Sequence, residues 1–130
     1  MSILMKDASK SGRLDPTNGR IRFDGIEFRA VRDLGHLSEA ELRIMVARGK
    51  SPKDLFGNIL EGHHYNQRYH RNPGAFIVEI PELNHSISNS IQHPLGRTGG
   101  LSSAERADWN RLRNKYWKER ARTEILRREK

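Results

Sequence analysis

The chain contains no cysteine, which removes disulfides and thiolate metal sites together, so any metal it holds must be bound by imidazole, carboxylate, amide or water. It also lacks any apolar run approaching the roughly 18 residues that a membrane span needs. The opening Met1-Ser-Ile-Leu-Met5 is too short and too quickly polar for the apolar region of a signal peptide. Apolar residues are few, at 35% with 7% aromatic and a mean hydropathy of -0.83, so the core must be small. Acidic residues are outnumbered: 16 Asp and Glu face 24 Lys and Arg, giving a net charge of +8 and a pI near 10.3. That balance points to a polyanionic partner, nucleic acid first, with an acidic protein or an anionic membrane as the alternatives.

The 130 residues fit one domain. Residues 1 to 19 show no apolar periodicity and read as a flexible leader, an interdomain linker or the cut end of something longer, leaving 20 to 130 as the domain. Ile21, Phe23, Ile26 and Phe28 alternate around Asp24-Gly25, which predicts a tight hairpin. Ser38 with Glu41 is a capping-box pattern, and Leu42, Met45 and Val46 carry a short helix to Gly49. Ser51-Pro52 is expected to begin a further helical turn through Leu55-Phe56, stopped by Gly57-Asn58. A strand entered at Ile59-Leu60-Glu61 then delivers Gly62-His63-His64. Residues 65 to 75 read as a polar loop ending in the Asn72-Pro73-Gly74 turn, and Phe76 to Ile80 as a strand that Pro81 closes. A helix carrying Leu83, His85, Ile87 and Ile91 follows. Ser102 with Glu105 caps the last helix, whose apolar side is Trp109, Leu112, Tyr116 and Trp117. The rest of it is basic, and Arg106, Arg111, Arg113, Lys115, Lys118 and Arg120 are candidate contacts to a phosphate backbone. Its aromatic residues are read as core, since their helical spacing already explains them.

A nuclease needs a ligand for a divalent metal and a base that titrates near neutrality, and imidazole supplies both. Adjacent residues on a strand point to opposite faces, so His63 and His64 can divide those tasks, one toward a metal and the other toward a water beside the phosphorus. His85 would close the metal site from the following helix. His93 lies about two helical turns further on and reaches the same metal only if the helix ends or bends before it, as Pro94 would make it do; Asn89 is the competing ligand. His36, before the Ser38 cap, is read as a surface residue. His70 is assigned to the polar loop, with a phosphate contact as its alternative role. Glu61 is read as an exposed strand carboxylate, with orientation of a ligand histidine as its alternative.

Gly62-His63-His64 at a strand end, the strand leading to Glu79-Ile-Pro81, His85, His93-Pro94 and the distal Tyr116-Trp117-Lys-Glu-Arg120-Ala121 resemble the HNH/endonuclease VII (His-Me finger) superfamily. The nearest subgroup is similar to the toxin nucleases with an LHH or GHH signature, C-terminal domains of bacterial polymorphic toxins, over roughly residues 57 to 122. The resemblance implies an α+β fold with a ββα-metal finger at about 57 to 95, additional helices including the long basic C-terminal one, and metal-dependent DNA cleavage. It implies His63 as a metal ligand, His64 as the general base, His85 as a further ligand, and His93 or Asn89 completing the set around one divalent ion (Zn, Ni, Mg or Mn). Arg68 and Arg71, near the histidine pair, are the candidates to stabilise charge on the phosphoryl oxygens. The expected substrate is DNA with little sequence preference. A toxin implies a small acidic immunity protein, and a chain made in the bacterial cytoplasm but acting in a target cell's cytoplasm. Two other readings remain: a ribonuclease toxin using a histidine pair as acid and base, and a non-catalytic basic module that binds nucleic acid.

Overall fold

The computed structural model describes residues 18–81 and 101–129. Asp24 and Gly25 both adopt positive φ, 53° and 78°, the backbone that a two-residue hairpin loop requires. They join β1 (Ile21–Phe23) to β2 (Ile26–Arg29), with Phe23 opposite Ile26. Gly19 already belongs to the fold, its carbonyl accepting from the Val31 amide. Residues 1–17 of the expected leader lie outside the described residues.

The first helix, α1 (Glu39–Arg48), forms as expected. The Ser38 hydroxyl accepts from the Glu41 amide while the Glu41 carboxylate accepts from the Ser38 amide, so two helix-end donors are satisfied reciprocally. The Ser38 amide, with the Ser38 hydroxyl adding to it, holds the Glu41 carboxyl below its ordinary pKa. Gly49 ends the helix at φ 67°, its amide bonded to the Met45 carbonyl. No side chain would fit there in any case, because a Cβ would lie 2.4 Å from Asn114 of the last helix.

The helical turn expected at 51–56 does not form. Asp54 offers its carboxylate to the amides of Phe56 and Asn58, and this local bonding competes with helix; a bridge between Lys53 and Ile59 closes the turn instead. Leu55 and Phe56 are left exposed at its tip.

Strand β3 (Leu60–His64) runs into one 3-10 turn (Tyr65–Gln67), and β4 (Phe76–Pro81) returns antiparallel to it, pairing Gly62 with Glu79 and His64 with Ile77. The N-terminal hairpin does not stand apart: β2 pairs in parallel with β4, making one four-stranded sheet of order β1-β2-β4-β3. Among the described residues β3 is therefore an edge strand. The last helix, α2 (Ser103–Arg128), starts at its Ser102/Glu105 capping box and lies on the sheet, with α1 packed against it.

One core unites these layers. Phe28 stacks on Tyr116 at 3.8 Å between ring centroids, and Leu34, Leu37, Leu42, Met45, Leu112 and Trp117 belong to the same buried cluster. Each such apolar side chain contributes roughly 1.5–3 kcal/mol when fully buried. Trp109, Tyr116 and Trp117 are all core residues, as their spacing predicts. The α+β class with a long C-terminal helix is what the sequence leads one to expect; the helix expected after Pro81, with His85, Asn89 and His93, lies outside the described residues.

At the centre of the sheet the fully buried Glu79 carboxylate accepts from the Tyr116 hydroxyl, from Arg120 at 2.6 Å and from the Arg32 amide at 2.8 Å. Arg120 also donates to the Arg32 carbonyl and to the Tyr116 oxygen. Its assignment to the nucleic-acid surface is therefore corrected: at 4% exposure it is an interior cation neutralising an interior carboxylate. Burial pushes the Tyr116 hydroxyl well above its usual pKa, keeping it a neutral donor.

Candidate functional site

The site grows from the end of the edge strand. Gly62, His64 and Leu60 alternate onto the α2 side of β3, and His63 falls on the opposite face with Val78, its cross-strand partner. Pairing is regular through His64, so no bulge redirects either imidazole. Gly62 is small for a steric reason: a Cβ there would lie 2.8 Å from the Trp109 ring and 3.0 Å from Ile77. Trp109 occupies that room and presents its ring to His64, 4.6 Å away in an edge-on arrangement.

His64 is half-buried and its Nε2 lies 2.8 Å from Nδ1 of His70. Nε2 of His70 lies 2.7 Å from Oδ2 of Asp108, on the second turn of α2. His70 is thus not a solvated loop residue, as its sequence context suggests. It is 2% exposed and forms the middle of a three-residue hydrogen-bonded line. The Asn72-Pro73-Gly74 turn helps put it there, with the Ala75 amide bonded to the Asn72 carbonyl and the Asn72 amide to the Tyr69 carbonyl.

Asp108 gathers donors from that loop. Arg71 binds both carboxylate oxygens, Nε to Oδ2 at 2.7 Å and Nη2 to Oδ1 at 3.2 Å, and the Tyr69 hydroxyl donates to Oδ2 at 2.9 Å. The Arg71 bonds, helped by those from His70 and Tyr69, hold the Asp108 carboxyl far below the usual carboxylate range. Arg71 is itself held more firmly protonated, chiefly by Asp108 and then by Asp24 at 3.3 Å. Burial lowers the pKa of His70 below its ordinary value and outweighs the attraction of Asp108.

Among the predicted charge-stabilising residues, Arg71 is engaged by two carboxylates, whereas Arg68 is exposed and bonds only weakly to the Pro73 carbonyl, at 3.2 Å. Beside them a cleft of about 410 Å³ is lined by Arg22, Arg29, His70 and Arg71, with Asn72 and Gly74 at its rim. On α2, Arg106, Arg111, Arg113 and Lys115 are exposed and Lys118 is partly so. His36 is exposed, its Nε2 2.6 Å from the Lys53 carbonyl, as a surface histidine should be. Glu61 is partly buried on the His63 side of the strand.

Sequence reasoning missed Asp108 and the partnership of His70 with it. Nothing in the spacing signals either, because 38 positions separate them.

This geometry, a histidine pair at a strand end packed on a long C-terminal helix, coincides with what comparison finds. Residues 41–123 match the family described as LHH, a nuclease of the HNH/ENDO VII superfamily with conserved LHH. The chain belongs to this family. No curated protein and no solved structure matches it. The LHH match covers more than half of the chain and takes in β3, β4 and most of both helices. Gly62 directly precedes the histidine pair, and the Trp109 ring leaves no room there for a side chain. The protein is accordingly a nuclease domain with a hydrolytic phosphodiester chemistry and a nucleic-acid substrate.

Members of the HNH/ENDO VII superfamily typically use a divalent ion. Among the described residues no group of three His, Asp or Glu side chains gathers to hold one. Of the four expected ligands only His63 is among them, buried at 3% exposure; His85, Asn89 and His93 lie outside. The chemistry of that donor set, imidazole with an amide oxygen, suits a borderline divalent ion.

Proposed function

We propose that this LHH domain is a metal-dependent DNA endonuclease with little sequence preference, in which His64 is the general base. The observation that carries this reading is the strand-end His64, half-buried against Trp109 and hydrogen-bonded on one side through His70 to an ionised carboxylate. A base needs that: one ring nitrogen anchored and the ring fixed in orientation. Regular alternation turns His63 and His64 to opposite faces of β3, an edge strand among the described residues, so the two side chains take separate tasks there.

In this reading His64 takes the proton from the attacking water as the water closes on phosphorus. Arg68 donates to the phosphoryl oxygens as negative charge builds on them. A divalent ion held by His63 and His85 with His93 or Asn89 would, when bound, polarise the scissile phosphate and neutralise the leaving 3′ oxygen. The exposed Arg106, Arg111, Arg113, Lys115 and Lys118 follow the backbone without reading bases, which favours low sequence preference.

The biological setting we infer is that of an antibacterial toxin: made in a producing cell, delivered to a target cell's cytoplasm, and restrained in the producer by an acidic immunity protein that covers this basic surface. The net charge of +8 supports an acidic partner. The test is incubation of purified protein with supercoiled plasmid and, separately, with total RNA, under EDTA and under a series of divalent ions. Nicking and linearisation of plasmid that EDTA abolishes is the expected result. Metal-independent degradation of RNA would turn the assignment to a ribonuclease, and retardation of DNA without cleavage under every ion would turn it to a binding module.

A further inference from the structure

We propose that the cleft between the end of α1 and the middle of α2 is a phosphate subsite, in which Arg48, Lys50 and Arg113 hold a nucleic-acid backbone at a phosphodiester other than the scissile one. The proposal deepens the nuclease reading, from which it takes its ligand, and uses none of the residues that perform the chemistry there.

The cleft holds about 310 Å³, and its charged lining is of one sign. Arg48 and Lys50 flank Gly49 at the end of α1, Arg113 comes from α2, and no aspartate or glutamate is in the wall. All three cations are exposed, and among the described residues none has a carboxylate within ion-pair distance. The basic cleft beside the histidine line differs in this respect. Asp24 and Glu27 stand in its wall, where they pair with Arg71 and Arg29. Three like charges around one cleft repel one another, and an entering phosphate relieves that repulsion while it gains the attraction of each.

One effect opposes an anion here. Gly49 ends α1, so the helix places its negative pole, equivalent to about half a charge, at the cleft. The Asn114 side chain donates to the Arg48 carbonyl at 3.0 Å and so answers one of those end carbonyls. Three full positive charges outweigh what is left.

The walls are set before a ligand arrives. Gly49 lies so close to Asn114 that no Cβ fits between them, and the buried Trp117 is part of the lining. Asn110 and Asn114 bring side-chain amides, whose N–H groups donate to phosphate oxygens as the cations do. Donors already in place lose little freedom on binding.

Position selects a nucleic-acid phosphate over the carboxylates of an acidic protein. Asn110 directly follows Trp109, whose ring lies against His64, and Arg113 is about one turn further, roughly 6 Å along the axis from Trp109. A duplex strand cut beside His64 carries a phosphate about every 3.4 Å of its axis, so phosphates near the scissile one fall along this part of α2.

The test is the salt dependence of binding to a short phosphorothioate DNA duplex that resists cleavage, read by fluorescence anisotropy on the full chain as isolated. Wild type is compared with Arg48→Gln/Lys50→Gln, with Asn110→Asp, which puts a carboxylate into the cleft, and with Arg43→Gln. Arg43, on α1 but paired with Glu39 at 2.6 Å, is the control, and melting temperatures establish that each variant is folded. The double variant should reduce the slope of log K against log salt by about 2 and weaken binding about 10–100-fold at about 0.1 M salt. Asn110→Asp should weaken binding too, and Arg43→Gln should leave the slope as it is. An unchanged slope in the double variant overturns the proposal. So does a fall in Arg43→Gln as large per cation as in the double variant, since binding is then spread over the basic surface. Poly-L-glutamate supplies the carboxylate comparison: if the double variant loses poly-L-glutamate and keeps DNA, the cleft receives an acidic protein and the proposal fails. A wild type that binds no DNA overturns it as well. None of these readings uses cleavage, so a wild type that binds as described but cuts no nucleic acid under any divalent ion overturns the nuclease reading and leaves the phosphate subsite standing.

Discussion

Two carboxylates in this molecule collect nearly the same donors and put them to different uses. Glu79, in the central strand, takes a tyrosine hydroxyl, an arginine and a backbone amide in an interior that leaves it 0% exposed. Asp108, on the helix beside the edge strand, takes a tyrosine hydroxyl, an arginine and an imidazole, with its side chain 20% exposed. In the first cluster every partner is committed to the others, and the result ties β4, the segment after β2 and α2 together. In the second, the imidazole passes the constraint outward to a half-buried histidine at the end of β3. The chemistry of the donors does not separate stability from function here; depth and the presence of an outward-facing terminal group do.

The comparison breaks most visibly at Arg120. Arg120→Met leaves the Glu79 carboxylate buried without its cation, and we expect a loss of about 3–5 kcal/mol of stability in chemical denaturation. Asp108→Asn, more exposed and with bonds that an amide partly replaces, should cost only about 1 kcal/mol in the same assay. Equal losses would mean that both clusters are structural.

The next largest effect probes the packing beside His64. Gly62→Leu forces a side chain into Trp109 and Ile77, an overpacking expected to cost about 1–3 kcal/mol. The stability of Gly62→Leu with Trp109→Ala should lie above the sum of the two single losses, which a double-mutant cycle reads directly.

Acid should distinguish the clusters further. Since burial lowers the pKa of His70, the unfolded chain binds more protons than the folded one as pH drops below the ordinary histidine value near 6.5. Stability is then complete above that pH and falls below it. Tyr69, Arg71, Asp108, Glu105 and His64 are the charged and titratable groups around this ring, and the depressed Asp108 carboxyl adds a loss of the same sign only below its ordinary value near 3.8. Melting temperatures taken from pH 7.5 to 5.5 should fall more steeply for wild type than for His70→Gln. Parallel curves would show that His70 does not bear this cost.

The smallest effect on stability, within about 0.5 kcal/mol, is expected when the exposed Arg111 and Arg113 are replaced by alanine, in contrast to the interior Arg120 on the same helix. DNA affinity should nevertheless weaken, with the slope of log K against log salt reduced by about 2. An unchanged slope would take α2 out of the nucleic-acid surface.

Much of this architecture is written in short-range signals. Both capping boxes, the Asp24-Gly25 hairpin, the strand at 76–81 and the histidine pair at the end of another strand are each fixed by residues within a few positions of one another. What escapes a linear reading is what the sheet and helix bring together. The parallel joining of β2 to β4 makes one sheet out of two hairpins, and only that joining buries Glu79. The Asp54 turn displaced a helical turn because one side-chain oxygen captured two amides. Arg120 did leave a trace: it follows Leu112 and Tyr116 at steps of four, on the buried side of the helix, and an apolar strand containing a lone glutamate was its missing partner. His70 and Asp108 left none, since a loop histidine and a helical aspartate 38 positions apart share no pattern until the fold closes.

The central claim is that His64 is the base of a nuclease. The most direct measurement is the single-turnover rate of plasmid cleavage by wild type and His64→Ala at saturating protein, with bound metal and melting temperature recorded for both. The account predicts a fall of about 10²–10⁴-fold in rate, the contribution expected of a general base, with metal content and fold retained. A His64→Ala protein that cuts at the wild-type rate would contradict it.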